Sequence, residues 1–365
     1  MSTLAPEAQH DEIEHTELSN WLDSHANALD LDQSRAGEVL PALAHADIFR
    51  TGVPIALGGS GGTIATAIES VIGVAQHSLT AAFVLWGHRT FIEYVVQSSN
   101  SKLRDRWLPP LLAGEIAGAS GLSNAMKYLS SIELLQMRAS RTPTGWSLSG
   151  NLPWITNLRR EGFLAAAAFE DADGAPASIF AIPHNADGVQ RSDDLELIGM
   201  RASNTAALRL EGTTLDDQYR ITDDARTFLT QVRPAFLGLQ CGMSIGLARR
   251  ALAAVADAGA GSRTAIQAEA NDTATKLTRE TGQLLVGVTD GHYLRHPSHL
   301  FELRIALANT VNSAVSLEVQ AAGGRGYLCN PGDTARRVRE ASFIPIVTPS
   351  LVQLKTQLEL YRTSL

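Results

Sequence analysis

The sequence predicts an α+β protein in three consecutive parts: an N-terminal helical domain, a middle antiparallel β domain and a C-terminal four-helix bundle. Three observations carry that reading. Apolar residues recur at spacings of three and four from Glu12 to about Leu112. The pattern then breaks into short alternating runs between turn clusters, from about 118 to 217. After Asp216 the helical period returns and runs almost to the C-terminus. The domain boundaries fall at 1–117, 118–220 and 221–365.

In the first part, Glu17, Leu18, Trp21 and Leu22 open one amphipathic stretch, and Ile64, Ile68, Val71, Ile72 and Ala75 share one face of another. Between them lies Ile55-Ala56-Leu57-Gly58-Gly59-Ser60-Gly61-Gly62. It lacks the Gly-Lys-Ser/Thr ending of a phosphate loop and follows no βαβ strand, so it reads as a flexible helix entry. In the second part, strands are predicted at Trp146 to Gly150, Leu164 to Phe169, Ser178 to Pro183 and Ala207 to Gly212, punctuated by turns such as Asp171-Ala172-Asp173-Gly174. In the third, helices are predicted near 226–258, 262–290, 298–322 and 350–363, the last with Leu351, Leu354, Leu358 and Tyr361 on one face.

The composition narrows the function classes. Of 365 residues, 44% are hydrophobic and 19% charged, which is ordinary for a packed globular chain. The net charge of -8 and the lack of any Lys/Arg run remove the electrostatic footprint of nucleic-acid binding. The start of the chain is acidic and polar, and the longest apolar run inside, Phe163 to Phe169, is far short of the ~20 residues of a membrane span. A cytoplasmic protein with small-molecule partners, or copies of itself, is expected. Cys241 and Cys329 are too few for a disulfide framework or a four-thiolate zinc site. His292, His296 and His299 are interrupted by Pro297 and lack the Glu of a His-Glu-x-x-His helix, so no metal site is expected.

Chemistry concentrates in a few short motifs. Trp154 offers a flat π face, and Thr156, two residues on, shares its strand face, a spacing suited to a flat polar cofactor. Gly323-Gly324 permits close backbone approach and could present N–H groups to a pyrophosphate or simply cap a helix. Gly150-Asn151-Leu152-Pro153-Trp154-Ile155-Thr156-Asn157 resembles the Gly-x-x-x-Trp-Ile-Thr-Asn strand of the acyl-CoA dehydrogenase family. Gly199 to Thr205 is similar to its Gly-x-Arg-x-Ser-x-Thr turn, Leu210 to Leu215 to the strand that follows, Arg233-Pro234 to an Arg-Pro pair, and Gln320 to Tyr327 to its Gln-x-x-Gly-Gly-x-Gly turn. These matches occur in family order over about residues 35 to 362. The resemblance implies FAD, or FMN, held between the β domain and the bundle. It assigns Leu122, Ser123, Trp154, Thr156, Gln320, Gly323, Gly324 and Ser350 to the flavin, and Arg233 and Ser130 to a substrate such as a CoA thioester. It also implies a homotetramer or homodimer.

The chain departs from the family in three places. The family's Thr-Glu-Pro-Gly-Ala-Gly-Ser-Asp stretch is replaced by Leu122 to Ser131, where Ser123 stands for the Thr, and Ser130 or Ser131 for the Ser. Of the Arg-x-x-Phe-Gly loop that reaches a neighbouring subunit's FAD, Arg263 alone is retained, within Gly259 to Ala265. The catalytic Glu loop aligns with Ile346-Val347-Thr348-Pro349-Ser350, putting Thr348 at the base position, and the alternative base position holds Val232. A Thr hydroxyl is far too weak a base to replace a carboxylate, leaving Thr348 an oxyanion or flavin hydrogen-bonding role. Glu340, eight residues upstream, reads as a surface helix turn. His88 and His77 lie near the family's channel mouth, where a neutral imidazole could act as base, so Thr348 and His88 are the catalytic candidates. The expected function is a flavin-dependent oxidoreductase with a non-standard or missing base. The alternatives are a reduced-flavin-dependent monooxygenase and a non-catalytic ligand-binding or assembly protein.

Overall fold

The computed structural model describes residues 6–130, 133–259, 264–328 and 332–363. Helices α1 (Pro6–Leu31), α2 (Ala36–His45), α3 (Ile64–His77), α4 (Leu79–Gln97) and α5 (Ser101–Leu112) form the first part. Thr63 caps α3 in a capping box, and the Ser78 hydroxyl accepts from Ala81 N to start α4. Every residue of α4 from Leu79 to Val95 is buried, making it the central helix of the molecule. The glycine-rich segment before α3 is a tight closed turn and not the flexible entry expected. Gly52 N donates to Gly61 O at 2.8 Å and Gly61 N to Val53 O at 2.9 Å, with Gly61 and Gly62 in left-handed conformations that favour glycine.

The middle part contains β1 (Ala117–Ser120), the short helix α6 (Ser123–Leu129), and β2 (Met137–Thr142), β3 (Gly145–Ile155), β4 (Phe163–Asp171), β5 (Ser178–Pro183), β6 (Val189–Asp194), β7 (Ala206–Leu215) and β8 (Arg220–Thr222). The strand order is β6-β7-β3-β2-β4-β5-β8, with β1 also on β4. This sheet is mixed, which corrects the antiparallel expectation: β1 pairs parallel to β4 from Ala117↔Phe163 to Ser120↔Ala166, and β2 meets β4 in parallel at Arg138↔Glu170. The reason is legible in β4, whose run Phe163 to Phe169 is buried throughout. A continuous apolar run belongs to a strand covered on both faces, the usual setting of parallel pairing.

The third part comprises α7 (Ala225–Asp257), α8 (Gln267–Thr289), α9 (His292–Arg295), α10 (Pro297–Ala322), α11 (Asp333–Phe343) and α12 (Leu351–Thr363). Gly238, Gly242 and Gly246 make a stripe along α7 that lets α3 approach. A Cβ at Gly246 would lie 2.4 Å from Ile72 O, and one at Gly242 3.1 Å from Ile68 O. The first and third parts therefore share one core across this contact. Helix α11 is fastened to α10 by the buried bidentate pair of Arg337 and Glu318, at 2.8 and 2.6 Å. Cys241 is buried and unpaired in α7, whereas Cys329 lies outside the described residues. Among the described residues no helix is long and apolar enough to cross a membrane, and no three His, Cys, Asp or Glu side chains gather as metal ligands.

Candidate active site

Where the three parts meet, a cavity of about 500 Å³ opens to solvent. Helix α4 contributes Phe83 and Trp86 from one side. The turn after β1 and helix α6 contribute Ser120, Ser123, Asn124 and Lys127, and the end of β3 contributes Leu152, Trp154 and Thr156. The turn before β7 adds Glu196 to Met200 and Thr205; α11 and the loop after it add Arg339, Ser342, Phe343, Ile346, Val347 and Thr348.

Local sequence explains each wall. Trp154, 53% exposed, presents its ring at the edge of the cavity, where a break in the β3–β7 register between Leu152 and Ile155 buries those two residues and leaves Pro153 and Trp154 exposed. Thr156 is buried and donates its hydroxyl to Ser203 O at 3.2 Å; the Ser203 and Thr205 hydroxyls are joined at 2.8 Å. Helix α4 can come this close to Thr156 because residue 87 is glycine, where a Cβ would stand 2.9 Å from Thr156 Cγ2. Asp30, wholly buried at the end of α1, accepts from Met200 N and from Arg339 Nε, both at 2.7 Å. It thereby ties the 199–205 turn to α11 across the cavity's back. On the α6 side, Asn124 donates to Leu134 O at 3.0 Å and to Glu133 Oε2 at 3.3 Å, and accepts from Gln136 N at 3.0 Å. Lys127 pairs with Glu133 at 2.8 Å.

The inner end is aromatic. Phe83 and Trp86 stack with centroids 5.6 Å apart and planes 8° apart, and Phe343 meets Phe83 edge-on at 4.7 Å. Both lining cations are already paired, Lys127 with Glu133 and Arg339 with Asp30. What remains is a cavity with an open indole, the Glu196 carboxylate and the hydroxyls of Ser123 and Thr348, beside those of Ser120, Thr156 and Thr205, which already bond to Tyr94, Ser203 O and the Ser203 hydroxyl. This donor set fits a flat heteroaromatic ring with several hydrogen-bonding edges, which is the chemistry of an isoalloxazine; it offers no free cation for a phosphate.

Of the residues singled out in the sequence, Ser123, Trp154, Thr156 and Thr348 come together on this cavity. The others stand elsewhere. Leu122 is buried beneath Ser123, Ser130 donates back to Met126 O, and Ser350 starts α12, its amide donating to Gln353 Oε1 at 2.7 Å. Arg233 stands over the Phe301 ring at 5.2 Å. Gln320, Gly323 and Gly324 sit at the exposed far end of α10. His88 is fully buried: Nε2 donates to Leu111 O at 2.9 Å and Nδ1 accepts from Gly118 N at 2.8 Å, which fixes a neutral tautomer away from the cavity. His77 pairs with Asp23 at 2.9 Å. Glu340 is no surface residue. It is 1% exposed, and its Oε1 accepts from Leu79 N at 3.1 Å and Arg336 at 2.9 Å, so α11 faces inward there. Burial pushes its carboxyl up, against the pull of Arg336. Arg263 and Ser131 lie outside the described residues.

Sequence reasoning missed Phe83, Trp86, Glu133, Glu196 and Arg339, all of which line the cavity. The i, i+3 pair Phe83 and Trp86 and the i, i+4 pair Arg339 and Phe343 were visible as helical faces. Because α4 is apolar all round, its pattern does not single out the face toward the cavity.

Residues 16–115 match the family of the acyl-CoA dehydrogenase N-terminal domain. The whole chain superposes on the glutaryl-coenzyme A dehydrogenase complex with glutaryl-CoA at a TM-score of 0.84, covering 100% of this chain and 97% of that one at 19% identity. The chain has the acyl-CoA dehydrogenase fold. It superposes equally on a nitroalkane oxidase active-site mutant crystallized with 1-nitrohexane, at a TM-score of 0.82, 15% identity, and 99% and 96% coverage. In sequence, the chain is 28% identical over 163 residues to the mitochondrial isovaleryl-CoA dehydrogenase of Pongo abelii, covering 43% of this chain and 38% of that one. Such matches span less than half the length of those relatives.

Proposed function

We propose that this protein is a flavin-dependent oxidoreductase whose flavin ring lies in the cavity beside Trp154, with a small, largely apolar substrate toward Phe83, Trp86 and Phe343. The observation that carries the reading is the convergence of Ser123, Trp154, Thr156 and Thr348, from three separate segments, on one cavity. FAD, with FMN as the smaller option, would supply the two-electron chemistry. The chain's own part is to hold the ring on the Trp154 face, to meet its polar edges with hydroxyls and to exclude water at the aromatic end. Gln320, Gly323 and Gly324 do not line this cavity, so they would reach a flavin only within an assembly of copies, consistent with the homodimer or homotetramer that the resemblance implies.

One observation favours an oxygen-using reaction over dehydrogenation of an acyl thioester. Removal of an α proton needs a carboxylate of raised pKa at the reacting carbon. The cavity loop supplies Thr348 there, Val232 is buried and apolar, Glu133 is held by Lys127, and the other lining carboxylate, Glu196, stands on the turn before β7 and not on the loop. The flavin-loaded protein should therefore not bleach with acyl-CoAs under anaerobic conditions, while its chemically reduced form should consume oxygen in a substrate-dependent manner. Thr348→Glu should gain anaerobic bleaching by acyl-CoAs. Bleaching of the unaltered protein by acyl-CoAs would instead establish the dehydrogenase reaction and a base outside the loop.

A further inference from the structure

Arg304, two turns into α10, is wholly buried, and among the described residues no carboxylate bonds to it. Burying a guanidinium without a counter-charge is costly, and such a group persists where its hydrogen bonds accomplish something specific. Its Nε donates to Gln240 Oε1 at 2.8 Å, and its Nη2 donates to Ile344 O at 2.6 Å. Gln240, itself buried in α7, then donates through Nε2 to Thr348 O at 3.0 Å. Both routes out of the guanidinium end on carbonyls of one loop, four residues apart. That loop carries Ile346, Val347 and Thr348 into the cavity wall. Nη1 has no partner among the described residues, so the guanidinium's hydrogen bonds lead only to this loop, directly and through Gln240.

The geometry points to a positioning relay: Arg304 and Gln240 fix the 344–348 loop, and through it the Thr348 side of the cavity. Two carbonyls anchored to two different helices define both the height and the tilt of the loop, which a single contact would not. The relay rests on the reading of the cavity as a flavin site only for its binding consequence; its effect on the loop stands without a ligand.

Gln240→Glu separates positioning from packing. The new carboxylate keeps an acceptor for Arg304 Nε and supplies the missing counter-charge, yet it removes the N–H that holds Thr348 O and sets an oxygen against it. The expected result is a melting temperature equal to or above the parent's. With it should come amide hydrogen exchange about tenfold faster at Ile346, Val347 and Leu351, and an FAD dissociation constant raised about tenfold, the worth of one lost hydrogen bond. Arg304→Met should give the same loop signature if it folds. Loop exchange unchanged in Gln240→Glu at unchanged melting temperature would overturn the relay. So would a fall in melting temperature with exchange rising evenly along α7 and α10, which would assign the pair to the core. If the parent protein binds neither FAD nor FMN, the flavin reading fails, and the exchange measurement alone decides the relay.

Discussion

Single residues show how burial decides between chemistry and architecture. His88 looked like a base because it sits on a helix near a channel, but its two ring nitrogens join α4 to the end of α5 and the start of the sheet. Burial lowers its pKa to about 4 from the ordinary 6.5. The unfolded chain therefore binds more protons than the folded one between those values, so stability rises with pH across that window. It is fully present above about pH 6.5 and is lost as the pH falls toward 4, by up to roughly 3 kcal/mol. Urea unfolding at pH 7 and pH 4.5 should show this, and His88→Gln should be less stable at pH 7 but lose less on acidification. An unchanged acid slope in the variant would mean that His88 does not carry it. Nothing in Leu85-Trp86-Gly87-His88 announces burial on every side, so the sequence alone could not assign the role. Gly87 in the same stretch makes a second prediction. Gly87→Ala would press a methyl against Thr156, so flavin affinity should drop several-fold while the fold is retained.

At the scale of elements, periodicity located the long helices to within a few residues because each buries one continuous stripe. It gave α11 only as a surface helix turn around Glu340 and missed the short strands β1, β2, β6 and β8, whose places are set by neighbours far along the chain. β6 alternates without a buried position, and β8 has three residues. The parallel contacts of β4 are likewise a tertiary outcome that local alternation does not encode. Two glycines separate close approach from mere helix propensity. Gly246→Ala in α7 must displace the Ile72 backbone carbonyl and should cost about 1–3 kcal/mol or more. Gly282→Ala, on the exposed face of α8 with nothing within 4 Å of the added carbon, should gain about 0.8–1 kcal/mol. Denaturant midpoints of the two variants should thus move in opposite directions; parallel shifts would mean that the α3–α7 contact is not the tight one described.

For the molecule as a whole, the cavity belongs to no single part. Helix α4, the end of β3, the 199–205 turn and the loop after α11 each supply one wall, and Asp30 from α1 links two of them. That explains why the site was half legible. Trp154, Thr156, Ser123 and Thr348 stood out because each lies in a motif read within its own segment. Phe83, Trp86 and Arg339 acquire meaning only once the parts are assembled. The same construction predicts that a ligand bridging the walls stabilises the entire fold, by about 2.7 kcal/mol at a hundredfold excess over its dissociation constant.

The central claim, that this cavity holds a flavin ring against Trp154, is tested most directly by titrating the purified protein with FAD and with FMN. The visible spectrum, protein fluorescence and melting temperature would be followed together, in the parent and in Trp154→Leu. The account predicts saturable binding of at least one flavin, a perturbed flavin spectrum and a raised melting temperature, with affinity reduced about tenfold or more in the variant through the loss of ring stacking. Absence of binding by both flavins, or binding that Trp154→Leu leaves untouched, would contradict it.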